Sequence, residues 1–257
     1  MNALASVLSA TPAPATPANV RTDDVALTEA QAGLWYAQRM APDNAAFNTA
    51  HALWIEGPLD LPAFTEAANR GVAEAEALSL RMRDGAGGPV QGVDDSLLPR
   101  LQIVDVSQEP DPRAVARAAM LRERLMPVDP MRDRLALQQL YVLGPDRHAW
   151  YLRVHHLATD GYGMALLTER ICALYAAVLG QGDSGLPLAA LDAALAEDLQ
   201  YRSSQRRSAD AAYWRDAMAG MPAPAGLGPG FAHAAQDCLR HVQPVAPALR
   251  ERLHAVA

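Results

Sequence analysis

The chain has 257 residues, of which half are apolar and a fifth are charged. These are the proportions of an ordinary globular protein, and they exclude a disordered, collagen-like or coiled-coil chain. The length suits one large domain or two lobes. The net charge is −7 and all 22 basic residues are arginines, an acidic balance that argues against non-specific nucleic-acid binding.

The cysteines and the possible targeting segments indicate no special site or location. Cys172 and Cys238 are far apart and lack CxxC spacing, so neither a disulfide framework nor a zinc knuckle is predicted. No basic residue precedes Arg21, which argues against a signal peptide. Charged residues interrupt the apolar stretch 164–180, so we predict no membrane-spanning segment and a cytoplasmic protein.

The first half of the chain predicts alternating helices and strands. Residues 1–25, rich in Ala, Pro, Thr and Ser, are typical of a flexible leader. Thr28 and Gln31 have capping-box spacing at the start of a short amphipathic helix, and Asp60 has the position of a second N-cap. The predicted strands are 48–56, 78–83, 89–93 and 101–105, and the predicted helices after the first are 61–77 and 112–125.

The second half predicts a hairpin followed by helices. Strands at 135–143 and 148–155 are joined by the turn sequence Gly-Pro-Asp-Arg at 144–147. A hairpin implies antiparallel pairing, so we predict an α/β sandwich whose mixed sheet is flanked by helices, not a doubly wound parallel sheet. The remaining predictions are helices at 162–181, 188–206 and 208–219, a Pro/Gly-rich linker from 221, a strand at 237–243 and a helix from Pro247.

The segment VHHLATDGYG at residues 154–163 is the strongest candidate for chemistry. Successive strand residues face opposite ways, so at most one of His155 and His156 faces a given cavity. A histidine at a strand end has an ordinary pKa near 6.5, which suits a general base. The Asp160-Gly161 turn places free backbone N–H groups at the start of the next helix, where they can stabilise an oxyanion.

Other interpretations of these residues stay open at this level. Either histidine can be a packing residue, and Asp160 can simply cap the helix. A metal site is disfavoured, because adjacent histidines on a strand cannot easily chelate one ion and no third ligand has suitable spacing.

Residues 155–161, HHLATDG, resemble the HHxxxDG core motif of the condensation domains of nonribosomal peptide synthetases. Three further segments agree in order and spacing. The sequence LTEAQAGLWYAQ at 27–38 is similar to the first motif of that family, AEALSLRM at 75–82 stands in the place of the second, and AAYW at 211–214 resembles its AYW stretch. The resemblance covers nearly the whole chain after residue 26.

The resemblance implies a chloramphenicol-acetyltransferase-like fold of two similar lobes that form a V. This chain would supply the N-terminal lobe (26–220), a linker (221–236) and the start of the second lobe (237–257). The implied reaction is attack of an amine on an acyl or peptidyl thioester held by a carrier protein. The implied partners are donor and acceptor carrier proteins and the C-terminal lobe. The phosphopantetheine belongs to the carrier protein, so we expect neither cofactor nor metal in this chain, and no activity from it alone.

The resemblance also assigns roles to single residues. His156, the second histidine, would be the active-site residue, acting as a general base or positioning the amine. Gly161 would offer a backbone N–H to the tetrahedral intermediate. His155 would be a packing residue, and Asp160 would be structural, paired with an arginine. Tyr162 and Met164 are candidates for the lining of the substrate channel.

This sequence departs from the family pattern in its second motif, which lacks the leading Arg-His and has Ser79 where an arginine is expected. Arg81 is therefore the candidate partner of Asp160, with Arg153 as the alternative. Three other functions remain open: an epimerisation domain, an HxxxD acyltransferase, and a non-catalytic lobe that binds carrier proteins. Epimerisation domains tend to have a tryptophan two residues after the DG, where this chain has Gly163-Met164. The absence of a DxxxxD motif disfavours heterocyclisation.

Overall fold

The computed structural model of the chain describes residues 24–222, 241 and 243–256. The strands are β1 (Val25–Ala26), β2 (Asn48–Glu56), β3 (Leu80–Gly85), β4 (Gly88–Val93), β5 (Gln102–Asp105), β6 (Ala136–Gly144) and β7 (Arg147–His155). The helices are α1 (Glu29–Met40), α2 (Leu61–Glu74), α3 (Pro112–Leu125), α4 (Gly161–Val178), α5 (Leu191–Arg202), α6 (Gln205–Met218) and α7 (Pro247–Val256). Short 3₁₀ helices cover Glu76–Ser79 and Asp95–Leu97.

Two sheets organise these strands. A four-stranded sheet has the order β2-β7-β6-β5, in which β5 pairs parallel to β6 and the other pairs are antiparallel. A smaller antiparallel sheet has the order β1-β4-β3. The predicted hairpin at 144–147 joins β6 to β7, and the predicted mixed sheet flanked by helices is confirmed.

Side-chain caps explain where several helices begin. Thr28 and Gln31 form both halves of the capping box at the start of α1. Asp60 and Asp111 each accept the backbone N–H three residues on, at the starts of α2 and α3. The predicted break between the last two long helices lies earlier than expected, because Ser204 rather than a later residue caps α6.

The prediction of a helix over 61–77 is too long. The backbone of Ala75 leaves the helical conformation, and the following residues form a 3₁₀ turn that buries Leu78. The strand predicted from residue 78 therefore begins at Leu80.

The four-stranded sheet is covered on both faces. Alternate residues of β7 point to opposite sides, so Trp150, Leu152 and Val154 pack with Phe64 of α2 and Ile171 of α4. The other face packs against α3. A third cluster joins α1 and the smaller sheet to the segment after β7 through Trp35, Leu80, Met82 and Leu157. The end of β7 is thereby fixed from several directions.

Several predictions fall on parts of the chain that the structure does not describe. The leader is described only from residue 24, and Val25 there already pairs with Gln91 of β4. The linker is described only at 221–222, and the strand at 237–243 only at 241 and 243. The proposed domain boundaries remain predictions. None of the helices among the described residues is long and apolar enough to cross a membrane.

Candidate active site

His155 is the last residue of β7 and lies in the interior, with 1% of its surface exposed. The backbone N–H of Leu157 donates to its Nδ1 over 3.2 Å, so Nδ1 carries no proton. The proton therefore lies on Nε2, which donates to Oε1 of Gln38 over 3.2 Å. Burial, with the nearby positive charge of Arg153, lowers the pKa of His155 to about 4. The ring is neutral at neutral pH and serves the internal hydrogen-bond network.

His156 follows directly and is partly exposed. Its backbone N–H donates to the carbonyl of Phe47 over 2.8 Å. Its Nδ1 lies 3.1 Å from the carbonyl oxygen of Thr159. Because a carbonyl only accepts, Nδ1 must carry a proton, and in the neutral ring Nε2 then holds the free lone pair. The local backbone thus selects the tautomer that a general base needs.

Asp160 and Gly161 form the start of α4. Oδ1 of Asp160 accepts the backbone N–H of Gly163 over 2.8 Å, so this carboxylate acts as the N-cap. The N–H groups of Gly161 and Tyr162 find no acceptor among the described residues. Free N–H groups at a helix N-terminus, with the positive end of the helix dipole behind them, favour negative charge.

The predicted ion pair between Asp160 and Arg81 is not formed, because each side chain has another partner. Nε of Arg81 donates to Oδ2 of Asp94 over 3.0 Å, and its Nη1 donates to the carbonyls of Met131 and Arg132. Burial works against ionisation of Asp94, but hydrogen bonds from Ser96 and Arg81 lower the pKa of its carboxyl overall. The role assigned to Arg81 beside Asp160 is therefore wrong.

Arg153, the alternative partner, does not pair with Asp160 either. It lies on β7, is 8% exposed, and finds no hydrogen-bond partner for Nε or Nη1 among the described residues. Burial lowers the pKa of its guanidinium, against the attraction of Glu123. Asp160 at the helix end is solvated and does not require a cation.

The two residues predicted to line the substrate channel, Tyr162 and Met164, differ in their exposure to solvent. Tyr162 is 73% exposed next to the motif. Met164 is 4% exposed and packs in the core against the β7 face, so its prediction as a lining residue is wrong. Positions two apart on a helix differ by about 200° around its axis, so both could not face the same surface.

Two glutamines of α1 reach the histidine loop (residues 155–160), and the sequence analysis predicts no role at this site for either of them. Nε2 of Gln31 donates to the carbonyl of Leu157 over 3.0 Å, while Gln38 accepts from His155. Their seven-residue spacing on a helix is the signal that places both on one face. No group of three or more His, Cys, Asp and Glu side chains in the described part of the chain could hold a metal ion.

A family model described as Condensation domain matches residues 21–243. The chain belongs to the condensation-domain family. This match includes the histidine loop, α1 and both sheets, so the family covers the whole region built above. The predicted membership, and with it the chloramphenicol-acetyltransferase-like fold class, is confirmed.

Characterised relatives are nonribosomal peptide synthetases. The chain is 36% identical over 222 residues to a dimodular nonribosomal peptide synthase of Bacillus subtilis, covering 86% of this chain and 9% of that protein. It is 34% identical over 238 residues to an isonitrile lipopeptide synthase of Streptomyces coeruleorubidus, covering 92% of this chain and 16% of the relative. It therefore matches a small part of much longer proteins.

Solved condensation domains have the same fold. The starter condensation domain of rhizomide synthetase, in a complex with C8-CoA, superposes with a TM-score of 0.77 at 30% identity, covering 81% of this chain and 48% of that one. The first condensation domain of the calcium-dependent antibiotic synthetase, bound to a substrate analogue, gives 0.73 at 32% identity, with 85% and 53% covered. The chain spans about half the length of these domains.

Proposed function

We propose that this chain is the N-terminal half of a condensation active site that joins an amine to a carrier-bound acyl or peptidyl thioester. The observation that carries the proposal is the tautomer of His156. Its Nδ1 proton is held by the carbonyl of Thr159, so Nε2 is ready to accept a proton. Membership in a family of peptide synthetase domains supports the same reaction class.

The proposed chemistry uses few groups. The amine nitrogen attacks the thioester carbonyl carbon, and the carbonyl π electrons move to oxygen. Nε2 of His156 either accepts a proton from the attacking nitrogen as a general base or accepts a hydrogen bond that orients the amine for attack. Collapse of the tetrahedral intermediate re-forms the carbonyl and breaks the C–S bond, and the departing thiolate takes the proton that the attacking nitrogen has lost, which returns His156 to its starting form where Nε2 held that proton. The products are the amide and the free thiol.

The start of α4 suits the oxyanion of that intermediate. The N–H groups of Gly161 and Tyr162 are free of internal acceptors in the described part of the chain. Donors that are already in place act without reorganisation when charge develops on oxygen. Asp160 contributes indirectly, since its cap on Gly163 defines where the helix begins.

Donor and acceptor carrier proteins, with phosphopantetheine arms of their own, are the proposed partners. We also propose that the chain alone is inactive. It spans about half of the solved condensation domains, so an entire side of the substrate channel would have to come from another half. The histidine loop would then be necessary but not sufficient for turnover.

The test is an amide-forming assay read by intact-protein mass spectrometry, with a loaded donor carrier protein and an acceptor amine. It compares the chain alone, an extended form in which the chain is joined to the C-terminal half of a condensation domain, and the extended form with H156A. We expect product only from the extended wild type, and a fall of about 10²- to 10⁴-fold for H156A. H148Q, a change at the opposite end of β7, is the matched control and should retain turnover.

Other outcomes would support other functions. Equal turnover by H156A would remove the proposed role of that residue. Retained carrier-protein binding with no turnover in any form would favour a non-catalytic binding lobe. Racemisation of a carrier-bound residue without amide formation would favour an epimerisation domain.

A further inference from the structure

Helix α1 holds the histidine loop at two points. Gln31 and Gln38 are seven residues apart, two turns along the helix, and therefore lie on the same face. Between them Trp35 is 2% exposed and packs in the same cluster as Leu157. The helix is thus fixed to the loop by an apolar contact with a polar contact on either side.

Gln38 has only one possible amide orientation. Its Nε2 lies 3.1–3.2 Å from the carbonyl oxygens of Ala41, Pro42 and Asn44. Carbonyls only accept, so this atom must be the NH₂ group and the other, Oε1, must be the oxygen. Oε1 therefore faces Nε2 of His155 as an acceptor. Gln38 and the backbone N–H of Leu157 therefore favour the same tautomer of His155, with the proton on Nε2.

Gln31 holds the other side of the loop. Its amide lies 2.7 Å from that of Gln91 in a reciprocal pair, and Gln91 is fully buried. Gln31 Oε1 also accepts the backbone N–H of Thr28. With the amide oriented in this way, Nε2 of Gln31 donates to the carbonyl of Leu157 over 3.0 Å.

The two contacts meet at Leu157, next to His156. The backbone N–H of Leu157 donates to His155, whose other ring nitrogen is bound by Gln38. The backbone carbonyl of Leu157 accepts from Gln31. On the other side, the N–H of His156 is held by Phe47. With both flanking peptide groups fixed, the His156 ring can keep its bond to the carbonyl of Thr159.

We propose that Gln31 and Gln38 are positioning residues that hold His156 in the orientation and tautomer leaving its Nε2 free. Neither is a catalytic residue, because their contacts run to His155 and to the backbone of the loop. The importance of this arrangement for turnover rests on the proposed function above. The arrangement itself is a property of this chain and can be measured without turnover.

The test is long-range ¹H–¹⁵N NMR of the histidine-labelled chain, which distinguishes protonated from unprotonated ring nitrogens. In the wild type we expect opposite tautomers at neighbouring positions: Nε2–H for His155 and Nδ1–H for His156. In Q38M, which keeps the side-chain length but not the amide, Nε2–H of His155 loses its acceptor and only the N–H of Leu157 still favours that tautomer, so the Nδ1–H form should become populated. The two ring-nitrogen resonances of His156 should then move towards each other.

The matched control is Q138M. Gln138 is also fully buried, and its amide binds the carbonyl of Pro99 and the indole N–H of Trp150 on β7. Losing it removes a comparable buried amide without touching the loop, so both histidine tautomers should be retained. Loss of the tautomers in Q138M as well would show a general loosening and overturn the positioning role.

Q31M tests the second contact and also covers failure of Q38M to fold. Gln31 is only partly buried, and its loss should perturb His156 while leaving His155 in the Nε2–H form. Unchanged resonances of both histidines in folded Q31M and Q38M would overturn the proposal.

Turnover in the extended form links the arrangement to function. We expect kcat to fall by about 10- to 100-fold in Q38M and Q31M, since small misplacements of reacting groups cost rates of this order. The KM for the amine and for the loaded carrier should be unchanged, and Q138M should keep wild-type kcat. Altered tautomers with full kcat would mean that the proposed role of His156 is wrong, although the glutamines do position it.

Discussion

At the scale of single residues, the buried neutral state of His155 links stability to pH. Its pKa of about 4 in the fold compares with about 6.5 in an unfolded chain. Between these values the unfolded state binds a proton that the folded state does not, so stability falls as the pH is lowered. Above about pH 6.5, protonation of His155 does not lower the free energy of unfolding. By pH 4 it should have lowered that free energy by roughly 3 kcal/mol.

Urea denaturation from neutral pH down to pH 4 should show this loss in the wild type and a shallower one in H155N. The Asn side chain offers both an acceptor for Leu157 and a donor, but it does not titrate. Part of the slope should persist, because burial also lowers the pKa values of His51 and His148. Identical pH profiles for the two proteins would contradict the assignment of the slope to His155.

Gly163 is required next to the histidine loop because a side chain would displace Thr159. A Cβ at this position would lie 2.2 Å from Thr159 Oγ1. G163A should therefore lose about 1–3 kcal/mol, although alanine favours a helix more than glycine. The companion change T159A removes the clashing oxygen. The double variant should therefore be more stable, by at least about 0.5 kcal/mol, than the sum of the two single effects predicts. Additive effects in thermal or urea unfolding would mean that Gly163 has another purpose.

At the scale of elements, α2 and α4 approach each other so closely that one position must be glycine. A Cβ on Gly71 would lie 2.4 Å from Cγ1 of Ile171, which is itself 1% exposed. G71A should cost about 1–3 kcal/mol through overpacking. I171A makes room but leaves a cavity, so G71A should be much less harmful in that background. A double-mutant cycle by urea unfolding measures the coupling, and zero coupling would contradict the contact.

The same two helices are joined by a largely buried ion pair. Nε and Nη2 of Arg170 donate to both carboxylate oxygens of Glu74 at 2.5 and 2.8 Å. The guanidinium hydrogen bond lowers the pKa of Glu74, although burial opposes this. R170M should cost about 3 kcal/mol, since it removes from a partly buried carboxylate the guanidinium that binds both of its oxygens. R70M, which removes a more exposed arginine 3.6 Å from the same carboxylate, is the control and should cost under about 1 kcal/mol.

Local signals predicted the elements, whereas contacts between distant segments were not readable. Residues that act within a turn of themselves, such as Thr28 and Asp60, placed their helices correctly. The two-residue strand β1 has no periodicity to detect, and it exists only because β4 pairs with it. The pairing of Arg81 with Asp94 depends on where β3 and β4 come together, and the pattern of the histidine motif does not encode that contact.

In the candidate site, too, the local pattern is predictable from the sequence, whereas the contacts between distant residues are not. The histidine motif and the helix behind it were legible in the sequence, because the pattern is contiguous. The tautomers depend on Gln38 and on the carbonyl of Thr159, and those contacts follow from the loop geometry. Met164 is close to the motif in sequence, but the helix turns its side chain into the core, so sequence proximity alone predicts the wrong surroundings for it.

At the scale of the whole molecule, the chain exposes apolar side chains that its described part leaves uncovered. Leu199 of α5 and Tyr213, Trp214 and Met218 of α6 are each more than half exposed. Neither helix buries a residue, and large exposed apolar surfaces usually mark an interface. The chain spans only about half the length of the solved relatives. We therefore expect the second half of a condensation domain to cover α6.

Trp214 is a natural reporter of that contact, because Trp35 and Trp150 are only 2% exposed whereas Trp214 is 62% exposed. In the chain alone, acrylamide should quench a tryptophan component that is absent from W214F. In the form extended downstream, this component should be protected and its emission should shift to shorter wavelength, since the indole leaves water. W214F, measured in both forms, provides the baseline. Equal quenching of Trp214 in the short and extended chains would show that α6 faces solvent in the longer protein and that the second half packs elsewhere.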